Sequence, residues 1–256
     1  MRTNAYELLA AREQEYWWHR ARRHMVWRLL RRYGIPPRAC WLDLGCGPGG
    51  NLGLLGDRDP DFVVGVDLSP LALELAVKKN LPVRFVRADI GQTLPFADAA
   101  FDLVTSFNVL YHAWIGDESA VLAEVRRVLR PGGLMLATEP AFAILARTLD
   151  VMVMTRRRYR SREFASLCRA AGLDVLFVSY FTSFGFPPIL AMKIFNRLRR
   201  RWGKQKETDD VTIDMRPLGR IANECMFGIA KAEAEGVARG VRMPFGTTLV
   251  CLARKN

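Results

Sequence analysis

The chain has 256 residues, half of them hydrophobic, and its 38 Lys and Arg outnumber 26 Asp and Glu for a formal charge of +12. That length suits one α/β domain with an embellishment and a sizeable core, which excludes a disordered tail or a disulfide-built mini-domain. Five cysteines without a C-x-x-C pair predict free thiols in a reducing compartment, and three histidines apart from any ligand cluster predict no metal.

The first residues, Met1-Arg2-Thr3-Asn4, lead into polar sequence without the apolar core of a signal peptide, so a cytoplasmic protein is expected. Residues 1–37 read as an amphipathic helical lead that contains Tyr16-Trp17-Trp18-His19 and ends at Gly34-Ile35-Pro36-Pro37. Two adjacent tryptophans cannot share one helix face, so if one is core the other must sit elsewhere. The apolar run Ala39-Cys40-Trp41-Leu42 then enters Asp43-Leu44-Gly45-Cys46-Gly47-Pro48-Gly49-Gly50. A strand running into a glycine-dense turn lets a cofactor lie against bare backbone.

Gly45, Gly47 and Gly50 also satisfy dinucleotide-binding spacing, so the turn alone leaves the cofactor open. Asp43 would repel a pyrophosphate and hold an ammonium group, and Pro48 removes a backbone donor from the turn. A cofactor with an amino-acid head and no phosphate fits both, and S-adenosylmethionine is such a molecule. A second buried-strand run, Phe62-Val63-Val64-Gly65-Val66, ends at Asp67, placed to accept two ribose hydroxyls. The third, Val83–Arg87, ends in Ala88-Asp89-Ile90, an acceptor and an apolar side chain suited to adenine. The fourth, Phe101–Ser106, is followed by Phe107-Asn108-Val109-Leu110-Tyr111-His112. A helical stretch ends in Val128-Leu129-Arg130-Pro131-Gly132-Gly133, a stop signal before the strand Leu134–Thr138.

The series D-L-G-C-G-P-G, G-V-D, A-D-I, F-D-L-V and V-L-R-P-G-G, in this order and spacing, resembles a class I S-adenosylmethionine-dependent methyltransferase. Within that group it is similar to the broad family that includes quinone-biosynthesis and natural-product small-molecule methyltransferases. The resemblance covers roughly residues 38–140. It implies an α/β fold, a doubly wound, seven-stranded, mostly parallel Rossmann-like sheet whose last strand runs antiparallel beside the sixth. It implies that Asp43, Gly45, Cys46 and Gly47 hold the methionine end, Asp67 and Leu68 the ribose, and Asp89 and Ile90 the adenine, with Phe107 beside the cofactor. Divided on the same basis, residues 1–37 are an N-terminal helical lid, 38–180 the cofactor-binding core, 181–244 a cap insertion and 245–256 the last strand.

The acceptor side is less defined. Tyr16 and Trp18 of the lid, with Tyr111, Glu139 and Tyr180, are the candidates to meet the acceptor. His112 either takes a proton from a hydroxyl or amine nucleophile or only shapes the pocket. Glu139 has a second reading, as a capping residue ahead of Pro140. Phe142, Tyr180, Phe181, Phe184 and Phe186 make this side apolar, which suggests a small lipophilic or aromatic acceptor.

Charge leaves further alternatives. Arginines cluster near the start, at Arg156-Arg157-Arg158 and at Arg199-Arg200-Arg201, but no nucleic-acid-binding motif accompanies them. Phe107-Asn108-Val109-Leu110 also replaces the N-P-P-Y of base-flipping enzymes. A small-molecule partner is therefore expected; a nucleic-acid methyltransferase, or a cofactor-binding protein without transfer activity, is the alternative. Val175 to Met192 lacks charge, but Pro187-Pro188 would break a helix there, so a strand and a hydrophobic cap are expected rather than a membrane span. From Ile189 to Trp202, helical spacing separates an apolar face from a basic one. That face either packs over the active site or makes a peripheral membrane contact. The run Lys204–Asp210 reads as a loop.

Overall fold

In the computed structural model, which describes residues 3–55, 60–146, 150–151, 153–201 and 218–256, the sheet is centred on strand β1 (Cys40–Leu44). It lies parallel between β2 (Phe62–Asp67) and β4 (Phe101–Phe107). Strands covered on both faces carry continuous apolar runs rather than alternation, which is why all three are legible in the sequence. β3 (Arg84–Arg87) closes one edge beside β2 with an arginine at each end, a charged guard against edge-to-edge pairing. On the other side β5 (Leu129–Pro140) runs parallel to β4. β7 (Thr248–Lys255) enters antiparallel between β5 and β6 (Leu173–Phe181). The order β3-β2-β1-β4-β5-β7-β6, with one reversed strand, is the fold that the resemblance implies.

Six parallel strands bring their carboxyl ends to one edge, where the chain leaves in turns and helix starts. α3 (Pro70–Val77) begins with Pro70 in its first turn, and the Ser69 side chain accepts the N–H of Ala72 at 3.3 Å. α4 (Glu118–Val128) begins where Asp117 accepts the N–H of Ser119 at 2.8 Å. α4 and α5 (Ser161–Ala170) bury Val121, Leu122, Val125, Phe164 and Cys168 against one face of the sheet.

The N-terminal lead is two helices, α1 (Thr3–Arg12) and α2 (Trp17–Arg32), and the late part of the chain supplies α6 (Phe186–Arg201) and α7 (Arg220–Ala238). α2 and α7 together cover the second face: Met25, Leu29, Ala230, Ala234 and Val237 pack with Trp41, Val63 and Leu136. His24 and Arg28 of α2 both reach Glu235 of α7, at 2.6 and 2.9 Å. The lid expected over 1–37 and the cap expected over 181–244 therefore divide: α2 and α7 are a layer of the core.

Pro187 and Pro188 open α6 instead of breaking a helix, because the N–H groups of a first turn need no intrahelical partner. The loop expected at Lys204–Asp210 and the end of the expected helix at Trp202 lie outside the described residues. Among the described residues no helix is long and apolar enough to cross a membrane, and no group of three His, Cys, Asp or Glu could hold a metal.

Candidate active site

The turn after β1 is built by two glycines in left-handed backbone. At Gly45 φ is +65°, and a Cβ there would lie 2.5 Å from Val109, so the turn touches the loop after β4 only because no side chain intervenes. At Gly47 φ is +54° and a Cβ would meet no atom within 4 Å, leaving bare backbone toward open space. The amide of Gly47 donates to Asp67 at 2.9 Å, and the Asp67 carboxylate also accepts the N–H of Ser69 at 2.9 Å. Each of its oxygens keeps lone-pair capacity for a further donor.

Above this turn lies a cavity of about 380 Å³. Its wall includes Gly45, Cys46, Gly47, Asp67, Leu68, Asp89, Ile90 and Phe107, together with Trp18, Tyr111 and His112. Burial holds the Asp67 carboxyl above its usual range, opposed by the backbone N–H groups of Ser69, Gly47 and Leu68. α1, the turn after it and α2 close the other side through Tyr6, Glu13 and Arg22 respectively.

Asp43 does not line this cavity. It is buried one layer behind the wall, where the Thr105 hydroxyl donates to its Oδ1 at 2.6 Å and the Trp41 indole in turn donates to that hydroxyl at 2.7 Å. Its Oδ2 has no hydrogen-bond partner. Burial pushes its carboxyl up to about 7, against the pull of Thr105 and of nearby Arg22.

Arg22 is the residue that sequence reasoning missed. It is 4% exposed, and among the described residues of the wall it is the one Lys or Arg. Its guanidinium donates to Asn51 and, at 3.4 Å, to Asn108, and stands 4.6 Å over the ring of Trp18. Burial, helped by neighbouring Arg23, lowers it to about 10, so it stays charged at neutral pH. The signal was present in the i, i+4 spacing of Trp18 and Arg22, which puts both on one helix face.

A second cavity of about 470 Å³ adjoins the first, and Trp18, His19, Asn108 and Tyr111 line both. Tyr16, Trp17, Leu145, Val153, Phe184, Ile189 and Met226 make much of its wall apolar. Its charged lining is Arg12 and a bidentate pair in which Arg158 reaches both oxygens of Asp150, at 2.7 and 2.9 Å.

His112 lies on the first cavity between Tyr111 and Trp114, each ring 4.2 Å away. Burial drives it down to about 4, partly offset by hydrogen bonds to the backbone at Val153 and Met154. Its Nδ1 has no partner, so the other nitrogen carries those bonds and Nδ1 keeps the lone pair of a neutral ring. His19, which borders both cavities, is also held neutral by burial and by Arg22 and Arg23.

Glu139 and Tyr180, expected to meet the acceptor, line neither cavity. Glu139 is fully buried, and its carboxylate accepts the N–H groups of Val109, Leu110 and Tyr111 at 3.2, 3.0 and 3.2 Å. It straps the loop that carries His112. Tyr180 points into the core beneath α5, stacks on Phe142 at 4.7 Å and accepts the N–H of Ser161 at 2.8 Å, completing the start of that helix. Both leave the acceptor side because β-strand alternation turns them toward the sheet's packed neighbours.

Residues 42–133 match the family model of a methyltransferase domain. A probable S-adenosylmethionine-dependent methyltransferase of Mycolicibacterium smegmatis is 30% identical over 169 residues, which are 64% of this chain and 61% of that protein. Trans-aconitate 2-methyltransferase of Azoarcus sp. is 37% identical over 113 residues, 44% of this chain and 43% of that protein. The chain thus spans less than two thirds of either relative. Phosphoethanolamine N-methyltransferase 2 of Haemonchus contortus, solved in complex with S-adenosyl-L-methionine, superposes with a TM-score of 0.56 at 20% identity, covering 89% of this chain and 51% of that one. The motif series, the strand order and these matches together identify residues 42–133 as a methyltransferase domain of the class I S-adenosylmethionine-dependent kind, whose cofactor is S-adenosylmethionine.

Proposed function

We propose that the protein transfers the methyl group of S-adenosylmethionine to an O, N or C nucleophile of a small lipophilic or aromatic acceptor. The observation that carries this reading is the shared wall: a cavity fitted to the cofactor meets a larger apolar one at Trp18, Asn108 and Tyr111. When bound, the cofactor would supply an electrophilic methyl group to the acceptor's nucleophile, its C–S bond breaking so that the sulfur leaves as the neutral thioether of S-adenosylhomocysteine. Little chemistry is then left to the protein beyond positioning, water exclusion and handling of one proton.

The residues fit that division of labour. A zwitterionic amino-acid end needs one anion and one cation: Arg22, on the cavity wall, supplies the cation, and Asp43, buried behind that wall, supplies the anion through its field rather than by contact. Asp67 accepts the ribose hydroxyls, Leu68 borders them, and Asp89 and Ile90 take the adenine. Gly45, Cys46, Gly47 and Phe107 shape the bed between. Trp18 offers a π face to the sulfonium, as it does to the Arg22 guanidinium. Tyr16, Trp18 and Tyr111 border the acceptor, and Nδ1 of His112 receives its proton. Helix α1, the turn that follows and the first turn of α2 serve as the lid.

Calorimetry tests the cofactor, and labelled methyl transfer against a metabolite library tests the acceptor. Micromolar-scale binding of S-adenosylmethionine, none of comparable strength for NAD, and label appearing in an apolar small molecule are the expected results. Label in RNA alone would replace this reading with nucleic-acid methylation; binding without transfer to any class would leave a cofactor-binding protein.

A further inference from the structure

Helix α6 turns an apolar face to solvent. Met192, Ile194, Phe195 and Leu198 are 50, 52, 58 and 45% exposed. At about 100° per residue they fall, with Pro187, Pro188 and Ala191, in one arc of about 160° interrupted only by Arg199. The opposite side, Ile189, Leu190 and Lys193, is the half-buried one, and the Lys193 ammonium donates to the carbonyl of Ala146. The turn at Ala143–Leu145 against which the helix packs adds Ile144, 58% exposed. Only the start of the helix borders the second cavity; Met192, Ile194, Phe195 and Leu198 do not line it. A contiguous apolar patch on a helix is a contact surface in want of a partner.

Charge selects among partners. A second copy would bring another chain of +12 against this one, and would set the basic residues of two α6 helices together. An anionic bilayer reverses that sign: Arg199 lies within the exposed arc, and Arg197, Arg200 and Arg201 belong to the same stretch of sequence. The Arg199 guanidinium stands 5.7 Å over the Phe195 ring, the aromatic–basic pairing of a side chain at an interface. We propose that the exposed face of α6 docks on an anionic membrane surface, with Met192, Ile194, Phe195 and Leu198 among the acyl chains. Pro188 and Ile189, at the start of the same helix, line the second cavity. On the methyltransferase reading, a lipophilic acceptor would then pass from the bilayer into that cavity without crossing water.

Vesicle cosedimentation tests the docking without any turnover, so its failure and the failure of the methyltransferase reading are separate results. The protein should sediment with equimolar phosphatidylglycerol and phosphatidylcholine at least about tenfold more than with phosphatidylcholine alone, and salt should weaken it. Ile194→Asp with Phe195→Asp should lower that fraction about tenfold or more while S-adenosylmethionine affinity, read by calorimetry, stays within about twofold. Absence of sedimentation with anionic vesicles, or sedimentation unaltered in the double variant, overturns the proposal. So does a concentration-dependent dimer that the double variant dissociates, which would assign the face to a second copy.

Discussion

Asp67 binds the backbone of Gly47: its carboxylate accepts that amide at 2.9 Å and so ties the end of β2 to the turn after β1. One side chain thus shapes the cofactor bed and, on the proposed reading, accepts the ribose. The two duties separate by substitution. Asp67→Asn keeps an acceptor for Gly47 but loses the charge on the ribose bonds, roughly 1.5 kcal/mol or about tenfold in affinity. Asp67→Ala loses both and should weaken S-adenosylmethionine by a further factor of about ten, as read by calorimetry.

Cofactor affinity should depend on pH through Asp43. Its carboxyl is raised to about 7 by burial, so below that pH the folded protein holds it protonated. On the proposed reading the ionised form attracts the cofactor's ammonium group across the cavity wall, and binding below about 7 therefore releases a proton. Affinity should fall by up to about tenfold per pH unit below about 7 and level off above. Asp43→Asn should bind weakly with no such slope. Wild-type affinity that is flat through this range would confine Asp43 to holding Thr105 and the turn.

Glu139→Ala leaves three buried N–H groups without an acceptor, at ~1–3 kcal/mol each. The denaturant midpoint should drop accordingly, with a stability loss of at least about 3 kcal/mol and an unchanged m-value. Glu139→Gln should lose less, because its amide oxygen can still accept from Val109 and Leu110. The pH dependence has a definite sign. Burial raises the folded carboxyl from 4.5 to about 8, so the folded state holds a proton that the unfolded state gives up. Its contribution to stability declines as pH rises through that window, and the Gln variant should lack the decline.

Turnover distinguishes His112 from His19. If Nδ1 of His112 takes the acceptor's proton, His112→Ala should lower kcat by about 10²–10⁴ with cofactor affinity unchanged. The wild-type acid limb should then fall near 4, where burial places the imidazole. Near-native turnover in His112→Ala alongside a collapse in His19→Ala would move the base to the histidine that borders both cavities.

The strands were legible because each is a short apolar run ending at a turn signal: Trp41 to Leu44 before the glycines, Val63 to Val66 before Asp67, Leu134 to Ala137 after Pro131-Gly132-Gly133. The acidic strand ends were legible for the same reason, since a carboxylate closing an apolar strand stands out. Long-range packing was not. α2 and α7 are remote in sequence, and nothing local says that Glu235 will meet His24 and Arg28. Arg22 was hidden among many arginines, and only the fold shows that this one is buried. Glu139 and Tyr180 sit near strand ends like Asp67, yet alternation turns both away from the cavities, and which face of each strand meets a cavity depends on elements remote in sequence.

Phe181 and Thr248 are paired across β6 and β7, so the chain leaves the sheet and returns to it at adjacent positions. Everything between them hangs from a closed base whose ends are already fixed. Lengthening such an excursion costs little, since the entropy of a loop grows only with the logarithm of its length. On the proposed reading, the part nearest the acceptor can thus be exchanged by an engineer while the strands beneath the cofactor keep their register. New substrates would be reached by rewriting one segment and leaving the catalytic frame intact, provided the graft still supplies the alanine-lined face that α7 presents to α2.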